Sequence, residues 1–537
     1  KRQICLSVSC RRSIMYAKVY GATIDGLDGV VVTVEVDISQ GLPVFDIVGL
    51  PNQAVKESRE RVRAAIKNSG FDFPMRRIVV NLGPAEVRKS SSGLDLPIAI
   101  GVLAASGQIR LRKPKLTKLL QSTLFIGELS LDGSLKKTQG ILSMAMKALA
   151  DKILTIFTSS DNVSLLHNIE AITSYGAHTL ADIVKLVIRP DEYRVDTVDE
   201  DYNDAVNNLI DYKDVQGQEL GKRAMVIAAA GVHHVMMIGP PGSGKTMLAE
   251  RLPTILPPLS WEERLETTRI HDVAGLLEKN TLIAKRPFRC PHHTATLASI
   301  IGGGSNAKPG EITLAHKGVL FIDEAPEFPR YVLDALRQPL ESHMITVNRL
   351  QNSYDYPADF ICILAANPCP CGYYGDPHKE CVCSSTELER YQHKISGPIL
   401  DRIDLFILVE RPSFNDMLCM GSDSMSSAAM KQLVEQGRQM QLERFQDQPF
   451  KSNGALPHGA IRELCNIRDD CWGLLGDVYE RFHFTGRSFD RLLKVSRTIA
   501  DLDGSLYIEN EHISEAMMYR HIPYHVSRIG VHDGATV

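Results

Sequence analysis

The feature that most constrains this chain is Gly239-Pro-Pro-Gly-Ser-Gly-Lys-Thr246, which reads G-x-x-x-x-G-K-T. Val235–Ile238 ahead of it is a short apolar run that fits a buried parallel strand, and Met247–Leu252 behind it has helical spacing. A strand–loop–helix of this kind is a phosphate-binding loop. Gly239, Pro240, Pro241, Gly242, Ser243 and Gly244 turn backbone N–H groups inward, and the helix N-terminus adds its positive dipole end. Lys245 would reach the β- and γ-phosphates and Thr246 would hold Mg²⁺. The bland reading, a Gly/Pro-rich turn before a helix, is disfavoured because every fixed position is filled and both flanks fit.

Such a loop needs carboxylate partners. Gly318–Glu324 is a continuous apolar strand ending in two acids. Asp323 would order Mg²⁺ and its waters, and Glu324 would polarise the water that attacks the γ-phosphate. Ala358–Leu364 is a further strand that runs into Asn367, which either orients that water or caps the turn before Pro368. Ile345–Leu350 and Ala358–Leu364 read as a hairpin with Arg349 near its tip. The Gly-rich stretch Gly302–Gly310 carries Lys308 and is expected to be a mobile loop. His292 and His293 are adjacent and should point apart, which makes them poor joint metal ligands. Arg402 is either a salt-bridged surface residue or a finger that reaches a neighbour's nucleotide. Arg487 and Arg491 open a long helix and could swing over the nucleotide. Cys369, Cys371, Cys381 and Cys383 form two C-x-C pairs. Four thiolates close a tetrahedral Zn²⁺ site, with His378 as a substitute ligand; the shorter-than-usual spacing leaves inert buried cysteines as the alternative.

With 537 residues the chain should form about three or four domains. Lys+Arg number 60 against 64 Asp+Glu, a net charge of −4, so any nucleic-acid contact must be a local basic groove or pore, not a basic coat. No apolar run approaches the roughly 18 residues of a membrane span; Leu96–Ala105 is too short. No membrane partner is expected. The eleven cysteines, without a convincing secretory signal, suggest a reducing, cytoplasmic setting. Residues 1–14 read as an extension or leader ahead of Met15. Residues 15–189 alternate strands and helices as an α+β domain. The helix Val55–Ile66 within it shows Val55, Val62, Ala65 and Ile66 on one face and a mixed-charge, solvated face opposite. Residues 190–213 form an acidic linker, 214–411 an α/β nucleotide-binding core with a parallel sheet, 412–522 an all-α lid, and 523–537 a tail.

Pro43–Pro51, Ala54–Ile66, Gly239–Thr246, Arg289–His293, Val319–Glu324, Asn367–Cys371, Ser396–Asp404 and Arg497–Asp501 together resemble one branch of the AAA+ ATPases, the magnesium-chelatase-like proteins, and within it the YifB/ComM group. The match runs from Met15 to Arg520. By that resemblance Asn367 matches the first sensor, Arg402 the trans-acting arginine finger and Arg487 the second sensor at the start of a lid helix. Gly302–Gly310 resembles the helix-2 insert and residues 345–364 the pre-sensor hairpin, elements that point into a ring's channel. The resemblance implies a hexamer, ATP and Mg²⁺ as ligands, and a DNA helicase that promotes branch migration when incoming single strands integrate in natural transformation. Single-stranded and branched DNA would then meet Lys308 and Arg349. Residues 15–189 look like the Lon-protease-type fold, shared with the second domain of a small-subunit ribosomal protein. The protease's Ser–Lys dyad is not matched: the comparable stretch is Lys89–Asp95, and Gly140–Met144 holds no lysine. A serine without a base is no nucleophile, so the domain reads as a non-proteolytic scaffold. Two other classes fit the ATPase core: a chelatase subunit that helps insert Mg²⁺ into a porphyrin, and a protein-remodelling chaperone.

Overall fold

The computed structural model describes residues 15–49, 53–85, 92–189, 210–277, 280–304, 307–348, 353–412 and 425–520. The chain separates into two compact units: residues 1–202 with 264–283, and residues 203–263 with 284–537.

The first unit is built on a seven-stranded sheet. Its strands are β1 (Tyr16–Asp25), β2 (Asp28–Ser39), β3 (Val44–Val48), β4 (Arg77–Gly83), β5 (Thr123–Phe125), β6 (Thr155–Ser159) and β7 (Thr173–Ala177). They lie in the order β3-β4-β2-β1-β5-β6-β7. Period-two alternation sets the long strands: Val32, Val34, Val36 and Ile38 of β2 are buried and the residues between them are not. The helix Asp95–Ala105 is buried along its whole length. It packs so closely on the sheet that a Cβ at Gly101 would lie 2.6 Å from Val36 Cγ2, and one at Gly21 2.7 Å from Pro97 Cγ. The helix Gln53–Asn68 buries Val55, Val62, Ala65 and Ile66, the stripe its spacing foretold. Its basic face is less solvated than expected, because Arg61 Nε pairs with buried Asp95 Oδ2 at 2.8 Å.

Residues 264–283 also pack in this unit, although they fall inside the 214–411 range expected for the nucleotide-binding core. Polar anchors hold them: Asp272 Oδ2 accepts the Leu142 amide at 3.1 Å, and Arg269 Nε donates to the Leu27 carbonyl and Ser143 Oγ, both at 3.0 Å.

The second unit carries an all-parallel sheet of β8 (Val235–Ile238), β9 (Phe288–Arg289), β10 (Val319–Ile322), β11 (Ile361–Ala366) and β12 (Leu405–Leu408), in the order β9-β10-β11-β8-β12. Every residue of β8, β10 and β11 is buried, which is why their sequences are unbroken apolar runs. The expected hairpin differs from the one observed. Met344–Asn348 pairs antiparallel with Ser353–Pro357, and the apolar run after Ala358 leaves to become β11 in the centre of the sheet. Ser353–Pro357, which alternates Tyr354 and Tyr356 with polar residues, is the second strand, in place of the apolar Ala358–Leu364. The helices Glu219–Gly231, Ser427–Arg444, His458–Leu464, Cys471–Arg481, Gly486–Leu502 and Asn510–Met518 supply the α-helical part, and the sheet and these helices share one apolar core. The end of the acidic stretch is no solvated linker: Tyr212 is fully buried, and its hydroxyl donates to the Leu248 carbonyl at 2.7 Å. Among the described residues no helix is long and apolar enough to cross a membrane. Residues 1–14 and 523–537 lie outside the described residues.

Candidate functional site

In the parallel sheet β11 lies between β10 and β8, so three strand ends deliver their polar residues side by side. Lys245 follows the loop after β8, Asp323 and Glu324 follow β10, and Asn367 follows β11. Thr246 Oγ1 donates to Asp323 Oδ2 at 3.1 Å. Lys245 Nζ donates to the Gly239 carbonyl at 2.7 Å, to the Pro240 carbonyl at 3.0 Å and to Asn367 Oδ1 at 3.3 Å. Burial pushes the Lys245 ammonium below its ordinary range, and the nearby carboxylates of Asp323 and Glu324 pull it back.

The loop has the shape of an anion cradle. A Cβ at Gly239 would meet the Val409 carbonyl oxygen at 2.1 Å, so only glycine fits beneath the loop. Gly242 (φ 77°) and Gly244 (φ 94°) are left-handed and face open space. Ser243 Oγ is buried without a partner. Glu324 is itself left-handed (φ 50°), a costly conformation for a non-glycine residue, and its amide donates to Asp323 Oδ1 at 2.9 Å. That kink turns the Glu324 side chain outward, where it is 57% exposed and its Oε2 lies 3.9 Å from His293 Nδ1.

His293 and His292 do not point apart. Their ring centroids are 4.1 Å from each other, because the chain bends at this point and both rings fold to one side. His292 Nδ1 instead contacts Thr294 Oγ1 at 2.9 Å.

The arginines sort into two kinds. Arg491 is structural: its Nη1 lies 2.5 Å from Asp404 Oδ1, and its Nε donates to the Asp401 carbonyl. Arg402 and Arg487 instead share Glu341. Arg402 Nη2 is hydrogen-bonded to Glu341 Oε2, and Arg487 Nη2 lies 3.7 Å from Glu341 Oε1. The Arg402 hydrogen bond, ahead of opposing burial, holds the Glu341 carboxyl below the usual range. Among the described residues neither guanidinium hydrogen-bonds or ion-pairs with Lys245, Thr246 or Asp323 of its own protomer. Nothing in the sequence around Glu341 signals this bridge, since Pro339–Ser342 is one short helical turn.

Lys308 is exposed on a two-stranded ribbon in which it pairs with Gly303, so this Gly-rich stretch has regular structure. The ribbon lies against the hairpin of Met344–Asn348 and Ser353–Pro357: the Tyr356 hydroxyl donates to the Ala307 carbonyl, and a Cβ at Gly303 would touch Val347 Cγ1. Arg349 lies outside the described residues.

Cys369, Cys371, Cys381 and Cys383 converge, with all four Sγ atoms within 4.8 Å of one another. His378 is not in the group; its amide donates to Asp376 Oδ1.

Three family models match the chain. "Magnesium chelatase, subunit ChlI" covers residues 211–417. "Subunit ChlI of Mg-chelatase" covers 34–162, and "Magnesium chelatase, subunit ChlI C-terminal" covers 424–520. Over 511 residues the chain is 40% identical to the uncharacterized protein YifB of Escherichia coli, spanning 93% of this chain and 95% of that protein. Over 510 residues it is 38% identical to the competence protein ComM of Haemophilus influenzae, spanning 94% and 97%. It is 29% identical to the magnesium-chelatase 67 kDa subunit of Heliobacterium mobile over 194 residues, only 30% of this chain.

Proposed function

The chain belongs to the YifB/ComM family of magnesium-chelatase-like ATPases, and from that premise we propose that it is an ATP-driven ring motor on DNA. The observation that carries the ATPase half is the convergence of Lys245, Thr246, Asp323 and Asn367 at one sheet edge. Gly239–Thr246 would cradle the triphosphate, and Ser243, whose hydroxyl is buried without a partner, belongs to that loop. Thr246 and Asp323 would hold Mg²⁺, which supplies charge neutralisation at the phosphates. Glu324, exposed at its kink, is the base that orients the attacking water, and Asn367 aligns it. Arg402, joined by Arg487 on Glu341, is presented as a pair to the nucleotide of a neighbouring subunit in a hexamer.

The DNA half rests on the two adjoining ribbons. The ribbon of Lys308 touches the hairpin of Met344–Asn348 and Ser353–Pro357 through Tyr356 and Ala307, which supports the two as one surface gripping single-stranded or branched DNA in a channel, with Lys308 on it; Arg349, the other proposed contact, lies outside the described residues. A relative carrying the name competence protein supports natural transformation as the setting, where branch migration during strand integration in the cytoplasm would be the motor's task. The first unit acts as a Lon-like scaffold without peptidase activity: Gly140–Met144 offers no lysine, and Asp95 is engaged by Arg61. Zn²⁺ joins ATP and Mg²⁺ as a bound group, at the four cysteines. The chelatase models favour one second reading, an ATPase subunit of a porphyrin-metallating complex.

The test uses wild type and Glu324→Gln. Wild-type ATPase should rise several-fold with branched DNA and lose that stimulation with salt. Glu324→Gln should bind nucleotide, assemble on DNA and not turn over. An ATPase rate indifferent to DNA, together with porphyrin metallation in the presence of partner subunits, would replace the motor by the chelatase reading.

A further inference from the structure

The segment between Cys369 and Cys383 has almost no regular structure, and most of its residues are exposed. A loop of this length inside a compact unit needs a staple in place of an apolar core. Its centre is four sulfurs. Cys369 Sγ lies 3.3 Å from Cys371 Sγ and 3.7 Å from Cys381 Sγ, and Cys371 Sγ lies 3.5 Å from Cys381 Sγ. All four cysteines are free. A disulfide would bring two sulfurs to about 2.0 Å. Four thiolates at about 2.3 Å from a tetrahedral Zn²⁺ stand about 3.8 Å apart, close to what is observed. The Gly372 and Tyr374 amides both donate to Cys369 Sγ, at 3.2 and 3.3 Å. Two N–H donors on one sulfur stabilise a thiolate, the form that binds metal.

This knuckle is wired to the phosphate site on three sides. Cys369 comes two residues after Asn367. The Gly372 backbone packs on the phosphate loop, since a Cβ there would lie 2.6 Å from Pro241 Cδ. The helix Ser385–Gln392, entered through a capping box at Ser384, returns Tyr391 to a hydrogen bond with the Asn367 backbone. Arg411, just past β12, closes the far side: its guanidinium lies 5.4 Å from the Tyr373 ring, and its Nε 3.6 Å from Asp376 Oδ2.

We propose that Cys369, Cys371, Cys381 and Cys383 bind one thiophilic divalent cation of the Zn²⁺ class, and that this metal knuckle braces Pro241 and Asn367, so that metal occupancy sets nucleotide affinity. The brace rests on the ATPase reading; the metal site does not. Physically it is preorganisation: without the staple the phosphate loop and Asn367 spend less time in register, and apparent affinity falls in proportion to the competent fraction.

The experiment is metal analysis of the full-length protein, followed by titration with a fluorescent ATP analogue before and after chelation under reducing conditions, and again after zinc is returned. The expected result is one zinc per protomer, roughly tenfold weaker nucleotide binding without it, and recovery with zinc but not with Mg²⁺. Cys381→Ser/Cys383→Ser should reproduce the stripped state, with circular dichroism reporting that the fold survives. Chelation and add-back on wild type keep the test valid if that variant does not fold. Protein that holds no thiophilic metal overturns the site. Protein that loses zinc with unchanged nucleotide affinity overturns the brace. Zinc-loaded protein that binds no nucleotide overturns the ATPase reading and with it the brace, while its zinc count establishes the site.

Discussion

Each unit has a helix whose N-terminus is finished by its own residues or left open, and the two units do this in opposite ways. In the first unit the helix Asp95–Ala105 begins with its own anion. Buried Asp95 receives Arg61 Nε at 2.8 Å and Nη2 at 3.1 Å, and the Leu129 amide at 3.3 Å. Burial drives the Asp95 carboxyl upward, and the Arg61 bonds act against that rise. In the second unit the helix Lys245–Ile255 has no acid in its first turn and starts behind left-handed Gly244. Its positive end, with Lys245 and Thr246, faces the open cradle. The difference teaches where a ligand belongs: a helix N-terminus that carries its own counter-ion is structure, and one that presents a cation and glycines is a site.

The largest effect should come from Lys245→Ala. It removes the ammonium that the proposed mechanism places at the phosphates, and ATPase activity should then fall about a thousandfold, or about 4 kcal/mol of transition-state stabilisation. Melting temperature should hardly move, because the lysine is bonded only to loop carbonyls and Asn367. Steady-state ATPase assays and calorimetry check both statements. Asp95→Ala is the mirror experiment. It strands Arg61 beside a buried gap and should cost the first unit about 4 kcal/mol in urea unfolding, while nucleotide binding by the second unit persists. If Asp95→Ala abolished nucleotide binding with the fold intact, the contrast between a closed and an open helix end would fail.

Acid titration sharpens the contrast, because an acid-sensitive group of the second unit lies at the end of the sheet opposite the cradle. His234 is buried, its Nδ1 accepts the Cys362 amide at 3.2 Å, and burial lowers it to about 4. A histidine depressed in the fold stabilises it fully above its unfolded value near 6.5. That contribution is lost as pH falls from there towards 4, on the order of 3 kcal/mol at most. Asp404 fails later: burial raises its carboxyl, but Arg491 and His233 hold it well below the usual range, so its contribution is lost only under stronger acid. Urea midpoints at pH 7 and pH 5 should therefore differ for wild type and converge for His234→Gln, which keeps a side-chain acceptor.

The parts of the molecule legible in the sequence are those fixed by local chemistry. Val235–Thr246 needs a strand, a glycine loop and a helix start in contiguous residues, and Val319–Glu324 needs a buried strand with acids at its end. Both are legible with their chemistry, and the structure places them on neighbouring parts of one sheet. The apolar stripe of Val55, Val62, Ala65 and Ile66 was equally plain. What escaped was set by contacts distant in sequence. Ser353–Pro357 is a strand only because Met344–Asn348 pairs with it. Residues 264–283 join the first unit through Asp272 and Arg269, whose partners lie far back in the chain. The closeness of Gly372 to Pro241 has no local signature, since each is an ordinary turn residue. The cysteines were legible as a set, but their convergence required the fold.

Glu341 tests the comparison at its finest grain. It is an exposed acid that organises two arginines, whereas Asp95 is a buried acid that neutralises one. Because Glu341 is half exposed, its bonds to Arg402 and Arg487 contribute little stability, and unfolding of Glu341→Gln should match wild type within about 0.5 kcal/mol. Its effect should appear only where subunits meet. With the carboxylate gone, two guanidiniums at one corner repel each other and lose their common anchor, so on the proposed ring reading the pair would reach a neighbouring nucleotide less often. ATPase per protomer should fall about threefold at concentrations that assemble the ring, with nucleotide affinity of dilute protomers unchanged. Arg402→Ala should cost far more, and adding Glu341→Gln to it should change nothing further, since the carboxylate acts on the rate through that arginine. An additive double variant would mean that Glu341 serves the reaction by some other route, and that the exposed acid is not the organiser its geometry describes.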